Sequence, residues 1–123
     1  MMRGVVMAAV AVLVFAPAAW AAGDVAAGER LFKQQCGACH AAQAGQNRVG
    51  PSLFGIVGRK AGTIEGFRYS AANKASALTW DAATLEPYLL NPRVVVPGTI
   101  MTFAGMKNDA QRADVIAYLA SLK

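Results

Sequence analysis

Apolar positions recur at helical spacing near both ends of the chain and lose that regularity between them. Val25, Gly28, Leu31 and Phe32 fall on one face behind Asp24, a residue whose carboxylate accepts from the free amides of a helix start. This pattern predicts a helix that runs into Cys36. Farther on, Val115, Ile116, Leu119 and Leu122 form one stripe behind Asn108, with Gln111 three residues later, the signature of a capped start. From Gly45 to Gly66 there are six glycines and a proline, and the apolar residues there keep neither a helical nor a strand period. That segment reads as loop, wrapped over something other than a large protein core.

Two shorter helices are predicted. One spans Ser70 to Lys74 or just beyond, the other about Asp81 to Leu90. Asn91-Pro92 ends the latter, because the residue before a proline is pushed out of the helical region. Pro87 lies inside it and would delete a backbone bond from a helix interior. The expectation is therefore that Thr84 is the effective N-cap, with Pro87 in a first turn whose amides are unbonded in any case. No segment alternates as a strand, and no repeat or composition break divides the chain. The expected class is all-α, in one small domain.

Ahead of this domain stand Met-Met-Arg, an apolar run from Gly4 to Ala16, Pro17, and the small-residue stretch Ala18-Ala19-Trp20-Ala21-Ala22. These have the order of a secretory signal, with cleavage expected after Ala21. The alternative is an uncleaved anchor, since the run to Ala22 approaches the ~20 residues of a spanning helix. Cleavage divides the 123 residues into a leader, 1–21, and a domain, 22–123. Much of the 55% hydrophobic content belongs to the leader, so the positive mean hydropathy does not describe the domain. Loss of Arg3 lowers the formal charge from +5 to +4. The basic residues are scattered, without the runs or interleaved aromatics of a nucleic-acid binder. A modest basic excess suits docking to an acidic protein surface.

Cys36-Gly37-Ala38-Cys39-His40 carries the chemistry. Two thiols three residues apart at a helix end project to nearly the same side, and His40 lies one turn from Cys36. The C-x-x-C-H run reads as covalent attachment of a c-type haem, with two thioethers and an axial imidazole. A redox disulfide would leave His40 without a role. A structural zinc would need about four ligands, and outside the leader the chain has only these two cysteines and one histidine. A sixth iron ligand cannot be a second histidine, so Met101 and Met106 are the candidates. Pro97-Gly98-Thr99-Ile100-Met101 supplies a tight turn able to present a thioether, which favours Met101; Met106 sits near the cap of the last helix. His/Met ligation fills both axial positions and raises the reduction potential. The iron is left to exchange electrons.

Taken together, these residues resemble the class I cytochrome c family, in particular its small exported bacterial members similar to mitochondrial cytochrome c. The likeness also rests on Gly23-Asp24-Val25, Gly50-Pro51, Gly58-Arg59-Lys60, Gly66-Phe67-Arg68-Tyr69, Ala72-Asn73-Lys74, Thr79-Trp80, Asn91-Pro92, Phe103-Ala104-Gly105 and Arg112-Ala113-Asp114. The resemblance implies His40 and Met101 as axial ligands and the Pro51 carbonyl as partner of the other His40 nitrogen. It implies that Arg59, Tyr69 and Trp80 hold the haem propionates, and that Asn73, Tyr88 and Thr99 form a polar network on the methionine side. It also implies a close crossing of the terminal helices through Gly28, Phe32, Val115 and Tyr118. Mitochondrial members ring the haem edge with lysines. The matching positions here are Gln35, Arg48, Arg93, Val94, Ile100 and Lys107, of which three keep a charge. Docking is therefore expected to depend more on apolar contact and less on steering.

The function these readings imply is a diffusible, monomeric one-electron carrier in the bacterial periplasm. Its partners would be redox proteins: membrane respiratory or photosynthetic complexes, or periplasmic oxidoreductases. Rival readings are a dedicated haem subunit of a periplasmic dehydrogenase, a peroxidase-like catalyst, and a membrane-tethered carrier. No further cysteine, histidine or carboxylate cluster is available for substrate chemistry.

Overall fold

The computed structural model describes Ala11 and residues 23–123. Apart from Ala11, the predicted leader and its cleavage site lie outside the described residues. Among the described residues seven elements follow in order: α1 (Val25–Gln35), β1 (Arg59–Lys60), α2 (Ala71–Ala75), β2 (Thr79–Trp80), α3 (Ala82–Leu90), α4 (Pro92–Val95) and α5 (Asp109–Ser121).

The terminal helices begin where the caps predict. Asp24 accepts from the Ala27 amide at 2.8 Å and Asn108 from the Gln111 amide at 3.0 Å. They form the most extensive pairing in the fold. The crossing is close because Gly28 has no side chain: a Cβ there would lie 1.9 Å from the Asp114 carbonyl oxygen. Around it, Phe32 meets Tyr118 with ring centroids 5.4 Å apart, and Val115 and Leu119 are buried. The Asp24 amide donates to the Asp114 carboxylate at 2.7 Å, tying the start of α1 to α5.

The class is helical as expected, with one addition. β1 and β2 pair antiparallel, Arg59 opposite Trp80 and Lys60 opposite Thr79. Strands of two residues are too short to show an alternating period, which is why the sequence does not announce them.

The α3 start corrects the expectation for Pro87. The cap is Asp81, not Thr84: its carboxylate accepts from the Thr84 amide at 2.7 Å, and the helix begins at Ala82. That bond holds the Asp81 carboxyl below the usual carboxylate range. Pro87 then lies in the helix interior, and the amide bond it deletes is the one to the Ala83 carbonyl. Ala83 is exposed, so water can satisfy that carbonyl. Asn91 ends α3 as predicted, and Pro92 opens α4 directly, in the first-turn position that proline tolerates.

Arg112 joins α3, α5 and the strand of chain between them. It is 4% exposed. Its guanidinium donates to the Glu86 carboxylate at 2.8 Å, to the Met106 carbonyl at 2.9 Å and to the Asp109 carboxylate.

Candidate functional site

The Cys36–His40 turn grows out of the end of α1. The amides of Cys36 and Gly37 both donate to the Phe32 carbonyl at 2.8 Å. Those of Cys39 and His40 donate to the Cys36 carbonyl at 3.1 and 2.9 Å. The chain from Arg48 to Leu53 lies along this turn. The Gly50 amide donates to the Cys39 carbonyl at 2.8 Å and the Leu53 amide to the Ala41 carbonyl at 2.9 Å. Gly50 presses its backbone on the imidazole: a Cβ there would stand 2.2 Å from His40 Cε1.

His40 Nδ1 is 2.8 Å from the Pro51 carbonyl. A carbonyl only accepts, so Nδ1 carries the proton and Nε2 keeps its lone pair. Burial holds the His40 pKa below its ordinary value, against the opposing pull of the Pro51 carbonyl. Burial, with Cys39 alongside, pushes the Cys36 thiol up to about 11.

The methionine side is built on a turn. The Thr99 amide donates to the Val96 carbonyl at 3.0 Å, and Gly98 has φ +87°. Proline followed by a glycine at positive φ is the type II arrangement, which other side chains resist. Thr99 Oγ1 then accepts from the Met101 amide at 3.2 Å. The Tyr88 hydroxyl donates toward Met101 Sδ at 3.8 Å. Burial pushes Tyr88 up to about 12, with the Thr99 side chain opposing, so the phenol remains a donor. Its ring packs against Trp80, tilted by 51°, with centroids 4.5 Å apart.

All eleven residues singled out from the sequence line one cavity of about 310 Å³: Cys36, Cys39, His40, Pro51, Arg59, Tyr69, Asn73, Trp80, Tyr88, Thr99 and Met101. Met106 does not line it. Met106 is 4% exposed, in the core, with its amide donating to the Leu89 carbonyl at 2.7 Å. Arg59 donates to the Ser52 carbonyl at 2.8 Å and to the Phe54 carbonyl, which fixes its guanidinium at the cavity wall. Burial lowers its pKa, with Tyr69 opposing, yet an arginine there stays cationic. The Tyr69 hydroxyl oxygen accepts from the Ile64 amide at 3.2 Å, leaving its proton available.

Asn73 lines the same cavity but is not joined to Tyr88, Thr99 and Met101. Its side-chain oxygen is buried with no hydrogen-bond partner among the described residues. Such an acceptor costs roughly 1–3 kcal/mol unless something bound there satisfies it. That orphan, the close Gly50 approach to His40, two thiols, an imidazole with a free Nε2 and a thioether together fit a haem. Val49, Phe67 and Ile100 also line the cavity and were not predicted as site residues. Phe67 packs edge-on against Tyr69 at 4.9 Å. Phe67 is one of the residues that carry the resemblance and Ile100 one of its haem-edge positions, but as apolar residues in loops without a period these three give no signal of lining the cavity.

The cytochrome c family profile matches residues 25–123. Over 114 residues the chain is 54% identical to cytochrome c2 of Rhodomicrobium vannielii, covering 90% of this chain and 89% of that protein. It is 58% identical over 87 residues to cytochrome c2 iso-2 of Magnetospirillum fulvum, covering 71% and 91%. With cytochrome c of Chlamydomonas reinhardtii it shares 52% over 99 residues, covering 80% and 88%. The chain belongs to the cytochrome c family. It is an electron carrier with one haem c, attached covalently through Cys36 and Cys39. Among the described residues no helix is long and apolar enough to cross a membrane.

Proposed function

We propose that the chain carries single electrons on a haem with His40 and Met101 as axial ligands, in the periplasm, after loss of residues 1–21. The observation that carries this reading is the shared cavity: His40 offers an unprotonated Nε2, and Met101 offers a thioether steadied by Tyr88 and Thr99. When bound, the haem supplies a one-electron couple. The chain does the rest. Pro51 holds the imidazole in one tautomer and orientation. The Pro97-Gly98 turn holds the sulfur, and the buried walls exclude water. Arg59 and Tyr69 supply a cation and a hydroxyl proton for the haem carboxylates. His40 and Met101 would together hold the iron, and this pairing supports a carrier rather than an enzyme. One electron enters from a donor protein and one leaves to an acceptor. These partners are membrane respiratory or photosynthetic complexes or periplasmic oxidoreductases, met by a monomer.

Met101→Ala tests the ligand set. The ferric holoprotein is expected to show the sulfur-to-iron charge-transfer band, and the variant to lose it, bind cyanide faster and fall in potential. A variant that keeps the band would exclude Met101. Intact mass of the exported protein tests the leader: a start at Ala22 or Gly23 plus one haem is expected, and retention of residues 1–21 would establish a tethered carrier.

A further inference from the structure

The peptide unit between Pro51 and Ser52 is held at both ends. Its carbonyl accepts from His40 Nδ1 at 2.8 Å, and its amide, on Ser52, donates to Asn47 Oδ1 at 3.0 Å. A peptide unit is planar and turns as one piece, so whatever fixes the amide also aims the carbonyl. Asn47 makes a second bond: its Nδ2 donates to the Glu65 carbonyl at 3.3 Å. An acceptor toward Ser52 and a donor toward Glu65 need the two unlike ends of a primary amide, which asparagine supplies. A relay of three hydrogen bonds thus runs from the turn at Glu65, through Asn47 and one peptide unit, to the imidazole.

The surroundings hold that unit in place. Ser52 is fully buried. Its Oγ donates to the Gln43 carbonyl at 2.6 Å and accepts from the Phe54 amide at 3.2 Å. The next peptide unit is also bound at both ends: the Ser52 carbonyl accepts from Arg59 Nη1 at 2.8 Å, and the Leu53 amide donates to the Ala41 carbonyl at 2.9 Å. Gly50, pressed on the imidazole, keeps the ring from turning away. Of the two partners of the Pro51–Ser52 unit, Asn47 is the one that a substitution can remove without touching the ring.

We propose that Asn47 is a positioning residue for the His40 imidazole, acting through the Pro51–Ser52 peptide. An acceptor on the Ser52 amide polarises the unit and makes the Pro51 carbonyl a stronger acceptor. The carbonyl in turn draws on the Nδ1 proton and raises the basicity of Nε2. A more basic Nε2 favours ferric over ferrous iron, so Asn47 holds the midpoint potential down. The proposal rests on the reading of His40 as an axial ligand.

Nuclear magnetic resonance of the ferrous holoprotein tests it, because the His40 Nδ1 proton reports its own hydrogen bond in the folded state, whatever the stability. Its resonance moves upfield as that bond weakens. Asn47→Ala removes the acceptor, and should move the resonance upfield and raise the midpoint potential. Asn47→Asp keeps an acceptor, now charged and stronger, and loses the donor to Glu65. The resonance should then move downfield, although the unfolding midpoint falls. Gln46→Asp places the same charge on the exposed neighbouring side chain and should leave the resonance where it is. Should Asn47→Ala yield no holoprotein, the contrast between Asn47→Asp and Gln46→Asp decides alone. A resonance unmoved by the Asn47 variants would overturn the proposal. So would an upfield move in Asn47→Asp equal to that in Asn47→Ala, since the bond lost in both is the one to Glu65. A wild-type protein whose His40 ring protons lack the large upfield shift of an imidazole held over a haem would instead overturn the ligand reading.

Discussion

The α1–α5 crossing and the loops around the haem cavity are held by different means. At the crossing, protein packs on protein: Gly28 lets α1 approach the backbone of α5 at Asp114, and Phe32, Tyr118, Val115 and Leu119 close around it. The loops from Ala41 to Tyr69 and from Asn91 to Lys107 supply much of the cavity wall, Pro51, Arg59 and Tyr69 from the first and Thr99 and Met101 from the second. Side-chain bonds to the backbone, His40 to Pro51 and Ile64 to Tyr69, help to hold the first in place. The crossing is thus a property of the polypeptide, whereas the loops depend on the cofactor that links them.

The largest expected effect follows from that difference. Replacing both Cys36 and Cys39 with serine, so that haem is not held, should cost more than about 4 kcal/mol, the scale of a tight ligand that binds only the folded state. A domain of this size has little reserve. The measurable outcome is loss of the near-ultraviolet circular dichroism and of a cooperative thermal transition, with part of the far-ultraviolet helical signal remaining. A sharp transition in the haem-free variant would show that the loops are self-sufficient.

Gly28→Val attacks the other region. Its Cβ would lie 1.9 Å from the Asp114 oxygen and 2.6 Å from its carbonyl carbon, and neither is the end of a flexible side chain. Overpacking against backbone is expected to cost about 3 kcal/mol or more. Urea unfolding checks this. Phe32, Val115 and Leu119 of the crossing also line the haem cavity, so the visible spectrum of the folded fraction is expected to shift with the loss of stability. An unchanged spectrum would mean that the cavity wall holds its place without the crossing.

Arg112→Ala probes the seam between the two regions. It removes the donors to the Met106 carbonyl and the Glu86 carboxylate. Glu86 is partly exposed and can be rehydrated, but the Met106 residue is buried. The expected cost is roughly 1–3 kcal/mol, the penalty of an unsatisfied buried group, read as a lower urea midpoint.

The same contrast decides what the sequence makes legible. The terminal helices can be read because burial on one face imposes a period, and because Asp24 and Asn108 announce their starts. Burial of Arg112 cannot be read, since arginine is ordinarily a surface residue and its partners come from separate elements. Pro87 misleads about α3 because proline argues against a helix interior, while an Asp81 carboxylate and a solvated Ala83 carbonyl allow it there. Four residues are too few for α4 to show a period. The haem site is legible through fixed covalent spacing in Cys36–His40 and through the scarcity of other ligands. Its polar surroundings are less so. Asn73 stands apart from Tyr88 and Thr99, and Arg48 and Lys107 donate to the Gly37 and Leu90 carbonyls; which partner a side chain selects depends on three-dimensional placement.

The smallest expected effect lies within the loop region and tests how finely the chain tunes Met101, the proposed iron ligand. Tyr88→Phe keeps the ring and its packing on Trp80 but removes the hydroxyl 3.8 Å from Met101 Sδ. A donor at sulfur withdraws electron density, weakens its donation to ferric iron and favours the ferrous state. Losing that donor should therefore lower the midpoint potential. A hydrogen bond near the weak end of the usual range, about 0.5–1 kcal/mol, corresponds to roughly 20–40 mV for one electron. Redox titration of the two holoproteins in the same buffer measures it. A fall of that size with the sulfur-to-iron band retained would assign the effect to the hydroxyl. An unchanged or higher potential would mean that Tyr88 serves Thr99 and the packing around Trp80, with no influence on the sulfur.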